Sequence, residues 1–302
     1  MSTLPLDFAT GHAGAASTLP PTPETPASPA NLPTLDIRPR CGWQAVDFKE
    51  LLRFHELLYF LVWRDIKVQY KQTVLGPAWA VLRPLANLVV FSFVFGKLAG
   101  MPSQGAPYPL FLYAGLLPWT FFSAAVLGAT GSLLNNAHLL SKVYFPRVIL
   151  PTSSVFAELT SLAISFLIYG CMMLGYGYLP GASVALLPVL VLLTVITALG
   201  IGYLLAGLTV MYHDVRFVIG SLMGAWMYVS PVIYPADLVP GKLRWLLMIN
   251  PMTGIIDAYR SALLNQPFNW LSLSFSAVIA VGVFLFGLYF FYRTERHFVD
   301  VA

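Results

Sequence analysis

From Pro109 to Leu134 the chain runs without one charged side chain, and it does so again from Leu186 to Met211 and from Leu273 to Tyr292. Runs of this length fix the solvent before they fix the fold. The hydrocarbon core of a bilayer is about 30 Å thick and is crossed by about 20 helical residues at 1.5 Å each. Of the 302 residues, 58% are hydrophobic and 10% charged, more apolar surface than a water-soluble domain can hide. Inside a bilayer no water satisfies free peptide groups, so such segments are expected to be helical. The sequence predicts an all-α integral membrane protein and excludes a soluble enzyme.

Six spans are expected, near Trp79–Leu98, Pro109–Leu134, Leu150–Gly175, Leu186–Met211, Phe217–Ile233 and Leu273–Tyr292. Orientation follows from the basic residues. Arg38, Arg40, Lys49, Arg53, Arg64, Lys67, Lys71, Arg83, Lys142, Arg147, Arg216, Arg293 and Arg296 fall on one side of this arrangement, against Lys97, Lys242, Arg244 and Arg260 on the other. The excess of positive charge marks the cytoplasmic side and places both termini there.

Residues 1–42 are rich in Pro, Ala, Thr and Ser and read as a disordered cytoplasmic tail. They have no basic residue before Arg38 and no continuous apolar core, unlike a secretory signal. Residues 43–77 read as an amphipathic interface helix, either lying in the membrane surface or packing beneath the bundle. Residues 78–302 carry the six spans. Leu243–Leu264 is apolar but contains Asn250, Pro251, Asp257 and Arg260, and a central charge costs about 2.5–3.5 kcal/mol on insertion scales. Two short helices broken at Asn250-Pro251, dipping re-entrantly into the outer leaflet with Asp257 and Arg260 one turn apart, fit better than a seventh span.

The pairs Gly96-Lys97 and Gly241-Lys242 are each followed by Leu and lack the earlier Gly of a phosphate loop, so no ATP hydrolysis is expected of this chain. Cys41 and Cys171 fall on opposite sides of the first spans, and the five histidines lack metal-ligand spacing. Neither a disulfide nor a metal site is expected. Glu158 is the clearest ionisable group within a span, read either as part of a water-filled path or as a polar contact between helices. A proton-driven carrier usually needs more than this, so energy is expected from another subunit.

The segment Trp63–Trp79, reading Trp-Arg-Asp-Ile-Lys-Val-Gln-Tyr-Lys-Gln-Thr-Val-Leu-Gly-Pro-Ala-Trp, resembles the approach to the first span in ABC-2 type polysaccharide-export permeases. Leu116-Leu117-Pro118-Trp119-Thr120-Phe121-Phe122 looks like that family's second span. Lys142-Val143-Tyr144-Phe145-Pro146-Arg147-Val148-Ile149-Leu150-Pro151 looks like its cytoplasmic segment before the third. Ser230-Pro231-Val232-Ile233-Tyr234 and Asn250-Pro251-Met252 follow in order. Two positions depart from the pattern. Val148 stands where an acidic residue commonly follows Phe-Pro-Arg, and His213 where an Arg often precedes Asp-Val.

The resemblance implies an exporter in a bacterial inner membrane, built from a homodimer of this permease and two copies of an ABC ATPase subunit. It would move a lipid-linked polysaccharide outward, with ATP and magnesium on the partner and no cofactor or nucleic acid on this chain. Within that frame, Lys142, Tyr144, Phe145, Arg147 and Asp214 are candidates for docking to the ATPase. Arg64, Lys67, Lys71 and Arg83 are placed to meet a polyprenyl diphosphate head group, or equally anionic membrane lipid. Phe111, Trp119 and Phe122 fall within about an 80° arc of one helix and could form an aromatic wall for sugar rings, with Tyr228 and Tyr234 as additions. Helix packing or an interfacial belt explains the same stripe. Asn250, Pro251, Asp257 and Arg260 would form an outer gate.

Three other functions compete. An exporter of small hydrophobic molecules or drugs would share the architecture, and the Arg-Asp-Ile-Lys and Phe-Pro-Arg motifs argue for glycan. An intramembrane transferase would need clustered acids or a histidine base, which the sequence lacks. A scaffold would explain neither the aromatic stripe nor the basic face.

Overall fold

The computed structural model describes residues 54–71, 78–179 and 181–295. The tail 1–42, positions 43–53 and 72–77 of the interface segment, and Cys41 lie outside the described residues. Among the described residues every regular element is a helix. These are α1 (His55–Tyr70), α2 (Trp79–Phe91, continued by a π-helix at Ser92–Leu98), α3 (Tyr108–Asn135), α4 (Ala137–Leu140), α5 (Ile149–Gly175), α6 (Leu187–Met211, entered through a 3₁₀ turn at Ala182–Leu186), α7 (Val215–Val229), α8 (Gly241–Ile249), α9 (Pro251–Leu264) and α10 (Trp270–Glu295).

Five of these segments are long and apolar enough to cross a membrane: Val81–Leu98, Tyr108–Asn135, Ile149–Gly175, Ala182–Met211 and Trp270–Glu295. They coincide with five of the six spans read from sequence. The expected fifth span, Phe217–Ile233, is different. Its helix stops at Val229, and Ser230 is already extended, because Pro231 disfavours helical backbone at the residue before it. The 15 residues of α7 reach only about 22 Å.

Proline also sets where the other helices begin. Pro109, Pro188 and Pro251 stand in the first turns of α3, α6 and α9, where the missing N–H has no intrahelical acceptor to lose. The break expected at Asn250-Pro251 is present: α8 ends at Ile249 and α9 begins at Pro251.

The core is organised around α3. Of its apolar window 78% is buried, against 6% for α2. It packs along α5 and α6 and against α9, while α6 and α10 form the other extensive pair. The α6/α10 contact depends on small residues, since a Cβ on Gly287 would fall on the Gly200 carbonyl and one on Gly200 would lie 2.6 Å from Phe284 Cα. Lipid tails give helices no hydrophobic reason to associate, so such backbone approach supplies the dispersion contacts.

Substituting Gly287 by Leu is therefore expected to cost about 1–3 kcal/mol through overpacking. Gly282 on the same helix has nothing within 4 Å of a built Cβ. Thermal unfolding in detergent should show Gly287→Leu destabilised and Gly282→Leu close to the parent, and equal behaviour would refute this packing.

Candidate functional site

At one end of the bundle a cation is buried between three segments. Arg260 of α9 is 1% exposed. Its Nη2 donates to the Val232 carbonyl at 2.6 Å, its Nη1 to the Tyr234 carbonyl at 3.3 Å and its Nε to the Phe111 carbonyl at 3.4 Å. The guanidinium carbon lies 3.8 Å from the centre of the Phe111 ring, a close cation–π contact. The carbonyls of Val232 and Tyr234 can accept because the chain from Ser230 to Tyr234 has left the helix. Gly115 makes room, since a Cβ there would sit 2.7 Å from Nη2 and 2.8 Å from the Val232 oxygen. Burial pushes the Arg260 pKa down to about 10, with Asp257 and Tyr108 pulling upward. The group stays charged at neutral pH.

The same non-helical segment is held from two more directions. Tyr108 Oη donates to the Ile233 carbonyl at 3.1 Å. Asn250 Nδ2 donates to Ser230 Oγ at 2.8 Å, while Asn250 Oδ1 accepts from the Met252 amide at 3.1 Å and so caps α9. Asn250, Pro251, Asp257 and Arg260, expected as one group, do share one region. Phe111, expected in a separate aromatic wall, is the platform under Arg260.

The rest of the aromatic stripe is also covered. Trp119 and Phe122 are buried, and Trp226 of α7 packs edge-on to both, at 6.2 Å and 5.5 Å between ring centres. Sequence reading missed Trp226. The signal was there, because Ile219, Met223 and Trp226 follow helical spacing and form the face of α7 turned to α3. Tyr228 is exposed, and Tyr234 Oη donates to the carbonyls of Tyr228 and Val229 at 3.3 and 3.2 Å.

At the opposite end α1 lies against α5. Asp65 accepts from Arg64 Nη2 at 2.7 Å and Nε at 3.0 Å, and from Ser153 Oγ at 3.2 Å. Gln69 Nε2 donates to Glu158 Oε1 at 3.4 Å, so Glu158 makes a polar contact between helices. Lys67 lies 5.0 Å from the Trp63 ring and Arg83 lies 5.7 Å from the Trp79 ring, and Lys71 is exposed. Of the four expected head-group cations, Arg64 is thus tied to a carboxylate, and two lean on aromatic faces. Tyr59, Phe60 and Trp63 of α1 point outward, the residues a membrane interface favours.

The loop between α3 and α5 separates its candidates into tip and anchor. Tyr144 is 82% exposed beside exposed Lys142 and Val143, whereas Phe145 is 5% exposed. Arg147 Nη1 donates to the Glu295 carbonyl at 3.1 Å, fastening the loop to the end of α10. Asp214 is exposed immediately before α7. Among the described residues no three His, Cys, Asp or Glu side chains are grouped to hold a metal ion.

The model of the ABC-2 type transporter family matches residues 56–264. The chain belongs to the ABC-2 type transporter family. The matched region starts within α1 and ends at the last residue of α9, and so takes in both the Tyr144 loop and the Arg260 site. The O-antigen export system permease protein RfbA of Myxococcus xanthus is 32% identical over 216 residues, covering 70% of this chain and 82% of the relative. RfbA of Klebsiella pneumoniae is 29% identical over 248 residues, covering 82% and 95%. The polysialic acid transport protein KpsM of Escherichia coli is 23% identical over 239 residues, covering 77% and 91%.

Removing the Arg260 guanidinium leaves carbonyl groups of this ABC-2 chain buried without donors, at about 1–3 kcal/mol for each group. Arg260→Met should therefore unfold at clearly lower temperature than the parent. A base whose pKa is lowered on folding changes stability only between the folded and unfolded values, here from about 10 upward, where stability rises with pH. The difference between parent and variant should thus be the same at about pH 6 and about pH 9. A difference that changes between those two would show that another titrating group controls the site.

Proposed function

We propose that this chain is the membrane subunit of an ATP-driven exporter. It moves a polyprenyl-diphosphate-linked polysaccharide, such as a lipopolysaccharide O-antigen, from the cytoplasm to the periplasm across a bacterial inner membrane. The observation that carries this reading is the likeness, over nearly the whole length of the relatives, to proteins named as O-antigen and polysialic acid permeases. ATP and magnesium belong to a separate ABC ATPase, two copies of which act on two copies of this chain.

In this reading the chain crosses six times with both termini cytoplasmic, a tail at 1–42, an interface segment at 43–77 and the spans in 78–302. The fifth crossing joins the 15-residue α7 to the non-helical turn at Ser230–Ile233. Irregular backbone at that depth is tolerated where protein buries it, as Arg260 and Tyr108 do here. The short helices α8 and α9 re-enter the outer leaflet, with Asn250, Pro251, Asp257 and Arg260 as the gate.

Pairing of two copies is supported by α7, where only Ile219 and Met223 are buried. Its other side carries Phe217, Gly220, Ser221, Gly224 and Tyr228 within about a 100° arc. Gly220 and Gly224 have nothing within 4 Å of a built Cβ, and a Gly-x-x-x-Gly pair admits close approach of a second helix. Trp119 and Phe122 become a sugar-facing wall when α7 withdraws Trp226, and Phe111 joins it when Arg260 moves aside. Arg64, Lys67, Lys71 and Arg83 receive the diphosphate from the inner leaflet. Lys142, Tyr144 and Asp214 meet the ATPase, with Phe145 and Arg147 holding the loop in place.

Co-purified with its ATPase and reconstituted in lipid, the complex should hydrolyse ATP faster when polyprenyl-diphosphate-linked glycan is added. Stimulation by small amphiphiles and not by glycan would replace this reading with a drug exporter. Within the complex, Tyr144→Ala should leave unfolding unchanged and uncouple hydrolysis from export, because the side chain is a solvent-exposed tip. Phe145→Ala should destabilise the chain by about 3–5 kcal/mol, the usual loss for an emptied aromatic core position. Export at parental rates by Tyr144→Ala would remove the loop from the coupling path.

A further inference from the structure

Midway along the bundle, between α2, α3 and α5, lies a cavity of about 10 Å³ lined by Pro84 and Asn87 of α2, Tyr113, Leu117 and Thr120 of α3, and Ser165 of α5. That is about the room one water molecule needs, and too little for a sugar, a lipid chain or an amphiphile. We infer that the cavity is a binding site for a single structural water, which joins Asn87 of the loosely packed α2 to the hydroxyls of Tyr113, Thr120 and Ser165 in the core.

The polarity of the lining selects water over a dry void. Tyr113 is 2% exposed, and among the described residues no group is placed to hydrogen-bond its Oη. At this depth in a bilayer such a hydroxyl has no solvent to turn to. The hydroxyls beside it have the opposite need. Ser165 Oγ donates to the Ser161 carbonyl at 2.9 Å and Thr120 Oγ1 to the Leu116 carbonyl at 2.8 Å, so each has committed its proton and keeps lone pairs that can accept. A water accepts from Tyr113 and donates to Ser165 and Thr120, the three bonds a buried water typically makes. Asn87 is the one amide of the span Val81–Leu98 and brings a further donor and acceptor from α2.

A second hydroxyl shows what the cavity adds. Tyr169 of α5 stacks on Tyr113 with ring centres 6.0 Å apart, is 1% exposed, and likewise has no hydrogen-bond partner for its Oη. It does not line this cavity. The two tyrosines therefore differ chiefly in their access to a water-sized space. The bridge matters because of where α2 stands. Its apolar window is 6% buried, so its dispersion contacts with the bundle are few. A water bridge is directional yet re-forms when helices slide past one another, so it registers α2 against α3 without fixing it. Leu117 precedes Pro118, which places the tie at the turn where α3 lacks a backbone hydrogen bond.

The full chain in lipid nanodiscs tests this with three substitutions. Tyr113→Phe removes the hydroxyl that donates to the water and should lower the unfolding temperature by about 2–4 °C, the shift that one lost hydrogen-bonded bridge produces in a domain of this size. Tyr169→Phe removes an equally buried hydroxyl with no water to bind, and should leave that temperature unchanged or raise it. In an Asn87→Leu background the loss on Tyr113→Phe should shrink to less than about half, because α2 then no longer completes the bridge. A map fine enough to show ordered waters should carry a peak within about 2.5–3.0 Å of Tyr113 Oη. A dry cavity reverses the sign for Tyr113→Phe, which then relieves an unpaired hydroxyl and behaves as Tyr169→Phe does. That result, or a map without the peak, would overturn the water site. An undiminished loss in the Asn87→Leu background would overturn the tie to α2.

Discussion

A single buried guanidinium decides how three parts of this membrane domain meet. Arg260 is costly to place in an apolar bundle, and the cost is offset only if its donors find acceptors. Most helix carbonyls are already engaged, and of its three acceptors only the Phe111 carbonyl, the most distant at 3.4 Å, lies within a helix. The chain supplies the other two acceptors by ending α7 at Val229 and turning out of the helix from Ser230 to Tyr234, where Pro231 makes continuation unfavourable. The arrangement is reciprocal. Without Arg260 the free carbonyls of Val232 and Tyr234 would be the expensive groups, and without the non-helical segment Arg260 would keep only the Phe111 carbonyl and ring. Gly115 and Phe111 then set the depth, one by leaving space and the other by offering its ring.

From that junction the domain divides by how firmly its pieces are held. The helices α3, α5, α6 and α10 interlock through buried residues and close backbone approach, while α2 and α7 expose most of their length. The weakly held helices are those with apolar surface to spare, and in a bilayer such surface carries no penalty. A loosely packed helix costs little there and can exchange protein contacts for lipid contacts at nearly constant energy. The helix α7 touches α3 along the face bearing Ile219, Met223 and Trp226 and is tied by the Arg260 junction at the end nearest Trp226, so its C-terminal end is the better held.

Much of this was legible in the sequence because the bilayer imposes a length and a polarity that spacing alone reveals. The long spans, the break at Asn250-Pro251 and the absence of a phosphate loop follow from counting residues and charges. The fifth span was read as helix as far as Ile233 because Val232 and Ile233 are as apolar as any helical residue. Hydropathy reports burial and not backbone conformation. The joining of Phe111 to Arg260 was not legible at all, since they are far apart in sequence and each suited a local explanation: an aromatic stripe and an ion pair with Asp257. Trp226 was hidden for the opposite reason. Tyr228 and Tyr234 carry hydroxyls and drew attention as sugar contacts, while the indole that covers the stripe looked like one more apolar residue.

How a push at one end could reach the other follows from α3. The helix is 28 residues long, about 42 Å, and most of it is buried. Its C-terminus leads directly into the loop bearing Tyr144, and its first turns carry Phe111 and Gly115 beneath Arg260. A buried helix of this length moves as a rod more readily than it bends, except where its own hydrogen bonds are missing. Pro118 removes one such bond, the one to the carbonyl of Ala114, which is the residue before Gly115. Thr120 Oγ1 donates to the carbonyls of Leu116 and Leu117 at 2.8 and 3.2 Å, and neither of these is the carbonyl that Pro118 leaves without its helical donor. The one place where α3 can flex therefore lies beside the junction that fixes α7. A displacement arriving along the rod would be converted there into a change of angle under Arg260, and the segment from Ser230 to Tyr234 would have to follow it.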